Sequence, residues 1–289
     1  MGYLVGVTAL WALSFSLIGV YLAGQVDSYF AVLIRVVLAM LVFLPFLRPS
    51  LLKGRLRLAL MGLGAVQLGV MYIFFYQSFL LLSVPEVLLF TIFTPIYVTL
   101  IDDALFGRFT PFHLVTAALA VIGAAVIRYQ GISDTFWLGF LVVQGANVCF
   151  ALGQVGYRRL SSALPASLPR HSIFAWFYLG ALGVALPAFF VLGSGEALPT
   201  TGMQWAVLAW LGLVASGLGY FLWNLGATRV DAGTLAIMNN ALIPAGLLVN
   251  LMIWNRDADM PRLALGGAII VFSLLVNDRW QRHRTAQAA

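Results

Sequence analysis

The sequence predicts an all-α integral membrane protein: ten transmembrane helices in two inverted five-helix repeats, with both termini cytoplasmic. Three observations carry that prediction. Hydrophobic residues make up 62% of the 289 positions and charged residues only 9%, whereas about a quarter of the residues of an ordinary soluble domain are charged. Apolar runs of membrane-crossing length recur along the chain, and the two halves resemble each other in order. With a mean hydropathy of +0.98, the apolar surface requires lipid as its solvent. A span takes about 20 apolar residues, so ten use about 200 positions and leave only short loops.

Apolar runs read against charged and Pro/Gly punctuation give spans at 2–22, 30–47, 57–81, 86–101 and 111–128, then 135–157, 172–192, 203–224, 233–254 and 262–280. The breakers are Arg48-Pro49-Ser50, Ser83-Val84-Pro85, Pro165 to Arg170, and Asn255 to Pro261. Met1 leads straight into an apolar run with no basic segment before it, so that run reads as the first span and not as a cleaved signal. The lone Cys149 rules out an intramolecular disulfide and reads as a packed thiol.

Charge sets the orientation. With a cytoplasmic N-terminus, the inner segments hold Arg48, Lys53, Arg55, Arg57, Arg108, Arg158, Arg159, Arg170, Arg229, Arg279, Arg282 and Arg284. The outer segments hold Arg128, Arg256 and Arg262, and Arg35 sits within a span. Basic residues gather on the cytoplasmic side of membrane proteins, and the opposite orientation would invert the bias. The net charge of +6 is therefore a topology signal, and no nucleic-acid partner is expected.

The halves correspond at several points. Gly2-Tyr3-Leu4-Val5 matches Gly139-Phe140-Leu141-Val142, and Pro45 matches Pro187. Tyr72 and Phe75 match Tyr220 and Trp223, and Ser78-x16-Pro95 matches Ala227-x16-Pro244. Ala120-x3-Ala124 matches Ala264-x3-Ala268. An odd number of spans per half inverts the second half, which is the plan of many secondary transporters, with the site near midplane between halves. The expected division is residues 1–128, a linker at 129–135, and residues 136–289.

Several of these residues resemble the EamA-type branch of the drug/metabolite transporter superfamily. Leu10-Trp11-Ala12-Leu13-Ser14-Phe15 resembles its first-span signature, Ile34-Arg35 occupies its basic position, and Ser83…Pro95 and Ala232…Pro244 resemble its repeated small-residue-to-proline segment. Cys149-Phe150-Ala151-Leu152-Gly153 with Arg158-Arg159 resembles the start of its second repeat. The aromatic content is most similar to the bacterial aromatic amino-acid exporters. Asp102-Asp103 stands where many members keep a Glu, so no role for that Glu is carried over. The resemblance implies a multi-pass protein of the bacterial inner membrane, monomeric or homodimeric, that exports small molecules without a cofactor.

Polar groups inside spans are costly and mark cavities or interhelical contacts. The candidates for substrate binding are Ser14, Tyr72, Tyr76, Gln77, Asn147, Gln154, Asn224, Asn239 and Asn240, with the deep aromatics Trp11, Tyr97, Trp176 and Tyr220. Trp223 is a further deep aromatic. Aromatic walls with convergent amides suit a flat amphipathic ligand such as an aromatic amino acid. Arg35 either snorkels to the outer boundary or contacts a substrate carboxylate. Pro95 and Pro244 interrupt helix ladders at matched positions and are expected gating kinks. All ten Asp and Glu residues fall in loops or at span ends, so no intramembrane proton relay is expected and alternating access runs by facilitation or exchange. His113 and His171 are expected at inner span boundaries. Export of other metabolites or drugs and lipid scrambling are the alternatives. An intramembrane enzyme is disfavoured, because no His-Glu-x-x-His, Gly-x-Ser-Gly or P-loop pattern occurs. No metal site is expected.

Overall fold

The computed structural model describes residues 1–107, 109–127, 136–254 and 260–288. The linker expected at 129–135, together with Arg128 and Arg256, lies outside them. Helical runs follow one another as α1 (Gly2–Leu22), α2 (Ser28–Phe46), α3 (Gly54–Leu81), α4 (84–106), α5 (Pro111–Ile127), α6 (Phe136–Ser162), α7 (Arg170–Leu192), α8 (Gly202–Ala227), α9 (232–254) and α10 (Met260–Ala288). Among the described residues, eight of them, α1–α4 and α6–α9, are long and apolar enough to cross a membrane. In α5 the apolar stretch is the shorter Pro111–Gly123.

Lipid offers the backbone no hydrogen bonds, so each crossing segment must satisfy its own. Four of them start on side-chain caps. Asp27 accepts from Phe30 N at 2.8 Å to start α2, Ser83 and Glu86 form a capping box at α4, Thr201 and Gln204 form another at α8, and Asp231 accepts from Thr234 N at 2.9 Å to start α9. Gly107 ends α4 at φ 62°, a left-handed conformation that favours glycine.

Two spans are interrupted. In α4, Val84–Phe90 passes through a 3₁₀ turn at Thr91–Phe93 before Thr94–Phe106 resumes. In α9, Ala232–Asn240 is separated from Leu242–Trp254 by a turn at Ala241. Pro95 and Pro244 each stand just inside the second piece. α3 and α8 instead carry π-helical stretches, Ala65–Val70 and Trp210–Leu218. π-Helical turns are frequent at functional sites.

The main packing partners join the front of the chain to the back: α1 with α8 and α9, α2 with α7 and α8, α3 with α6 and α7, α4 with α6 and α9, and α5 with α10. The α3–α7 crossing is the tightest. A Cβ on Gly64 would run into the backbone carbonyl of Phe177, and one on Gly180 into that of Met61, so neither helix can carry a side chain there.

Two expectations change. Asp102 and Asp103, read as lying at or beyond the end of a span, sit inside α4 and are buried. The helix continues past the apolar run because hydrogen-bond propagation is indifferent to side-chain polarity. Arg158 Nη1, on α6, donates to Asp102 Oδ1 at 2.9 Å and balances that charge. His113 is buried beneath α9 and α10, with Nε2 3.8 Å from Asp231 Oδ1 and 2.8 Å from Gln281 Nε2. Asp231 is itself partly buried, which favours the neutral acid. Hydrogen bonds from Thr234 and Asn277 and the nearby His113 outweigh that and hold its carboxyl below the usual carboxylate range.

Gly180→Ala should lower the melting temperature of detergent-solubilised protein by about 3–10 °C, since overpacking costs about 1–3 kcal/mol. Gly183, on the same helix with open space around it, should tolerate alanine within about 2 °C. Equal shifts in the two variants would contradict the close crossing.

Candidate functional site

The inward face of α2 repeats Ala31, Val32, Arg35, Val36, Ala39 and Phe43, all buried. Helical spacing thus carries Arg35 into the bundle, where it is 3% exposed, and not outward to the boundary. Its Nε donates to Ser216 Oγ at 3.1 Å, Nη1 to the Tyr76 hydroxyl at 3.1 Å and Nη2 to the Tyr72 hydroxyl at 2.6 Å. The guanidinium also lies 4.2 Å from the centroid of the Tyr72 ring. Every acceptor is neutral. Among the described residues no carboxylate pairs with it. A guanidinium carries five N–H donors, so two remain without a protein acceptor.

The neighbours of Arg35 are fixed in turn. Tyr72 OH and Ser216 Oγ are 2.8 Å apart. Ser216 belongs to the π-helical stretch of α8, where Tyr178 of α7 donates to the carbonyls of Ser216 at 2.9 Å and Gly217 at 2.6 Å. Four helices, α2, α3, α7 and α8, therefore hold one buried cation.

Arg35 faces a cavity of about 90 Å³, room for a handful of waters at about 10–15 Å³ each. Its wall is aromatic. The Trp11 ring lies 5.0 Å from Trp223, 5.1 Å from Tyr220 and 5.7 Å from Phe150. Both indole N–H groups are committed to the protein, Trp11 to Ala215 O at 2.8 Å and Trp223 to Gln154 Oε1 at 2.9 Å. Locked rings of this kind offer flat apolar surface at little entropic cost.

The broken α4 closes the other side. Pro95 has no N–H to give to Thr91 O, which accepts instead from the Thr94 backbone N–H and from the Thr94 hydroxyl, the latter at 2.7 Å. Upstream, Phe90 O accepts from Gln144 Nε2 at 3.1 Å and Asn147 Nδ2 at 2.8 Å, both on α6. Ile92 O accepts from Asn240 Nδ2 at 3.1 Å, across from α9. Side-chain amides thus replace the bonds that the interrupted helix lacks.

Of the residues singled out in the sequence, Arg35, Trp11, Ser14, Tyr72, Asn147, Tyr220 and Asn239 line the cavity. Tyr76 stands behind Arg35. Gln154 stands behind Asn239 and Trp223, with Nε2 donating to Asn239 Oδ1 at 3.3 Å. The remaining candidates lie elsewhere. Asn224 and Gln67 exchange two hydrogen bonds of 3.1 Å between α8 and α3. Tyr97 donates to Gln144 Oε1 at 3.2 Å. Trp176 lies under Arg57 at 4.8 Å, Gln77 is half-buried, and Asn240 braces α4. The sequence reading passed over Ser216, Gln144, Thr91 and Thr94. Ser216 was discoverable as a polar residue one helical turn before Tyr220. Among the described residues no group of three or more His, Cys, Asp or Glu could hold a metal ion.

The model of the EamA-like transporter family matches residues 1–129. A protein of Pseudomonas aeruginosa named a probable biotin transporter is 57% identical over 282 residues, covering 98% of this chain and 99% of its own. The biotin transporter of Salmonella typhimurium is 53% identical over 290 residues, 100% and 96% of the two chains. The aromatic amino acid exporter YddG of Ancylobacter novellus is 26% identical over 207 residues, 69% of each. One crystal structure superposes with a TM-score of 0.76 at 20% identity over 97% of both chains, a likeness of fold. The expected similarity to aromatic amino-acid exporters in particular is not upheld, because relatives at more than twice that identity carry another substrate's name.

Asn240→Leu should lower the melting temperature by about 2–10 °C, as a buried carbonyl loses its donor. Gln77→Leu should shift it by no more than about 2 °C. The reverse order would contradict the bracing role of Asn240.

Proposed function

The chain belongs to the EamA-like transporter family of the drug/metabolite transporter superfamily, and on that premise we propose that this multi-pass protein carries biotin across the bacterial inner membrane by alternating access. The observation that carries the reading is Arg35: a buried cation without a countercharge, bordering an aromatic cavity, with two N–H donors to spare. Biotin supplies the missing parts, a carboxylate on a flexible apolar chain and a fused ring of largely apolar surface. Among the described residues no Asp or Glu lines the cavity, so the ammonium of an amino-acid zwitterion would meet no countercharge there, whereas a monoanion suits the site.

In this mechanism the carboxylate takes up the unused N–H groups of Arg35, a charge-assisted fork of hydrogen bonds. The chain and rings lie along Trp11, Tyr220, Trp223 and Phe150. The Ser216 bond to Arg35 ties α8 to α2, so a carboxylate on the spare N–H groups that draws the guanidinium towards the cavity strains one tie between the halves. The breaks in α4 and α9 then serve as hinges for rocking. A ten-span inverted repeat belongs to the same proposal. Its support is that the packing pairs interchange when each of α1–α5 is exchanged with its counterpart among α6–α10, as α1 on α9 becomes α6 on α4. The breaks in α4 and α9 and the π-helical stretches of α3 and α8 also fall at matched positions. Because no carboxylate lines the cavity, transport is proposed to follow the substrate gradient or to proceed by exchange.

Counterflow of radiolabelled biotin into biotin-loaded proteoliposomes tests the reading. Wild-type protein should exchange biotin, and biotin methyl ester should compete at least about tenfold more weakly than biotin. Arg35→Gln should cut exchange at least about tenfold and abolish the preference for acid over ester. Undiminished exchange by Arg35→Gln would overturn the assignment.

A further inference from the structure

On the side of the cavity formed by α1, α4, α6 and α9, the polar side chains have their donors already spent. Thr8 donates to Leu4 O at 2.9 Å, Ser14 to Leu10 O at 3.5 Å, Thr91 to Leu88 O at 2.7 Å and Thr94 to Thr91 O at 2.7 Å. Asn239 Nδ2 donates to Leu235 O at 2.7 Å and Gln154 Oε1 at 3.4 Å. Both cavity indoles are bonded as described above. What these α1, α4, α6 and α9 groups leave for a ligand is lone pairs.

Asn147 is the sharpest case. Its Nδ2 has two hydrogens, and both are used, on Phe90 O at 2.8 Å and Gln144 Oε1 at 3.1 Å. Gln144 fixes that orientation, because its Nε2 is held by Phe90 O at 3.1 Å and its Oε1 by the Tyr97 hydroxyl at 3.2 Å. Turning the Asn147 amide over would set Oδ1 against two oxygens. Among the described residues Oδ1 accepts no hydrogen bond, yet it is not sealed off without a partner as Oδ1 of Asn240 is. On a residue that lines the cavity, that oxygen opens into the cavity.

The cavity is therefore polarised, with a donor pole at Arg35 and an acceptor side at Asn147. We propose that Asn147 is a specificity-determining residue whose Oδ1 accepts from an N–H group on the ligand head, with Gln144 as the positioning residue that holds the amide. The proposal rests on the biotin reading and deepens it. A ureido head, with two N–H groups held opposite a carboxylate tail, matches both poles. A head offering only acceptors would set lone pair against lone pair.

Competition in the same counterflow assay decides, using biotin and its cyclic-carbonate analogue, which has oxygen in place of each ureido N–H and nearly the same shape. In wild-type protein the carbonate should compete at least about tenfold more weakly, because the site's acceptors would go unpaired. In Asn147→Leu and in Gln144→Leu that ratio should fall towards one, a change that mere loss of stability would not produce. Wild-type protein that treats the carbonate and biotin alike, while still exchanging biotin, would overturn this inference and leave the transport reading standing. So would a wild-type ratio retained in both variants. Absence of biotin exchange altogether would overturn both.

Discussion

A single positive charge inside a lipid-embedded bundle constrains everything around it. Moving a guanidinium out of water costs several kcal/mol even after relaxation, and Arg35 is surrounded by hydroxyls that soften that cost without cancelling the charge. Holding three hydroxyl oxygens around one guanidinium requires α2, α3 and α8 to meet at one point, with Tyr178 of α7 fixing the backbone of α8 behind them. The π-helical stretch containing Ser216 and the tight glycine crossing of α3 with α7 serve that meeting. A resident carboxylate would have neutralised the site and closed it. Among the described residues none stands there, which in the proposed mechanism keeps the site open to an anionic ligand.

The second constraint is the backbone of α4. A proline in a transmembrane helix deprives a carbonyl of its donor, and lipid provides no replacement. Thr94, Asn147, Gln144 and Asn240 supply donors, and in doing so become fixed themselves. The break and the recognition surface are thus one structure: the bond that repairs α4 is the bond that orients the Asn147 amide. Any motion of α4 must also disturb the wall of the cavity, and in the proposed mechanism a hinge at 91–93 therefore acts directly on the ligand.

Much of the fold was legible because the hydrophobic requirement is local. Runs such as 172–192 and 203–224 declare themselves by composition, and the span boundaries erred only where helices continued into polar sequence, as α4 does through Asp102 and Asp103. The site was legible in part. Polar residues within spans marked Arg35, Tyr72 and Asn147, but composition cannot tell a side chain facing a cavity from one bracing a helix. Asn147 does both and Asn240 only braces. Asn224 is consumed by Gln67, a partner 157 positions away in the chain. Thr94 went unnoticed because its role follows from a proline's missing donor and not from its own polarity. The proposed ligand class turned on an absence, the lack of any acid beside Arg35 among the described residues, which only three-dimensional proximity reveals.

The central claim is that a ligand carboxylate completes the coordination of Arg35. Solid-state NMR on protein in lipid, with ¹⁵N-guanidino arginine and biotin ¹³C-labelled at the carboxyl carbon, measures that contact directly. The account predicts carbon–nitrogen dipolar dephasing corresponding to about 4 Å that disappears in Arg35→Lys. Bound biotin showing no dephasing, or the same dephasing after that substitution, would contradict it.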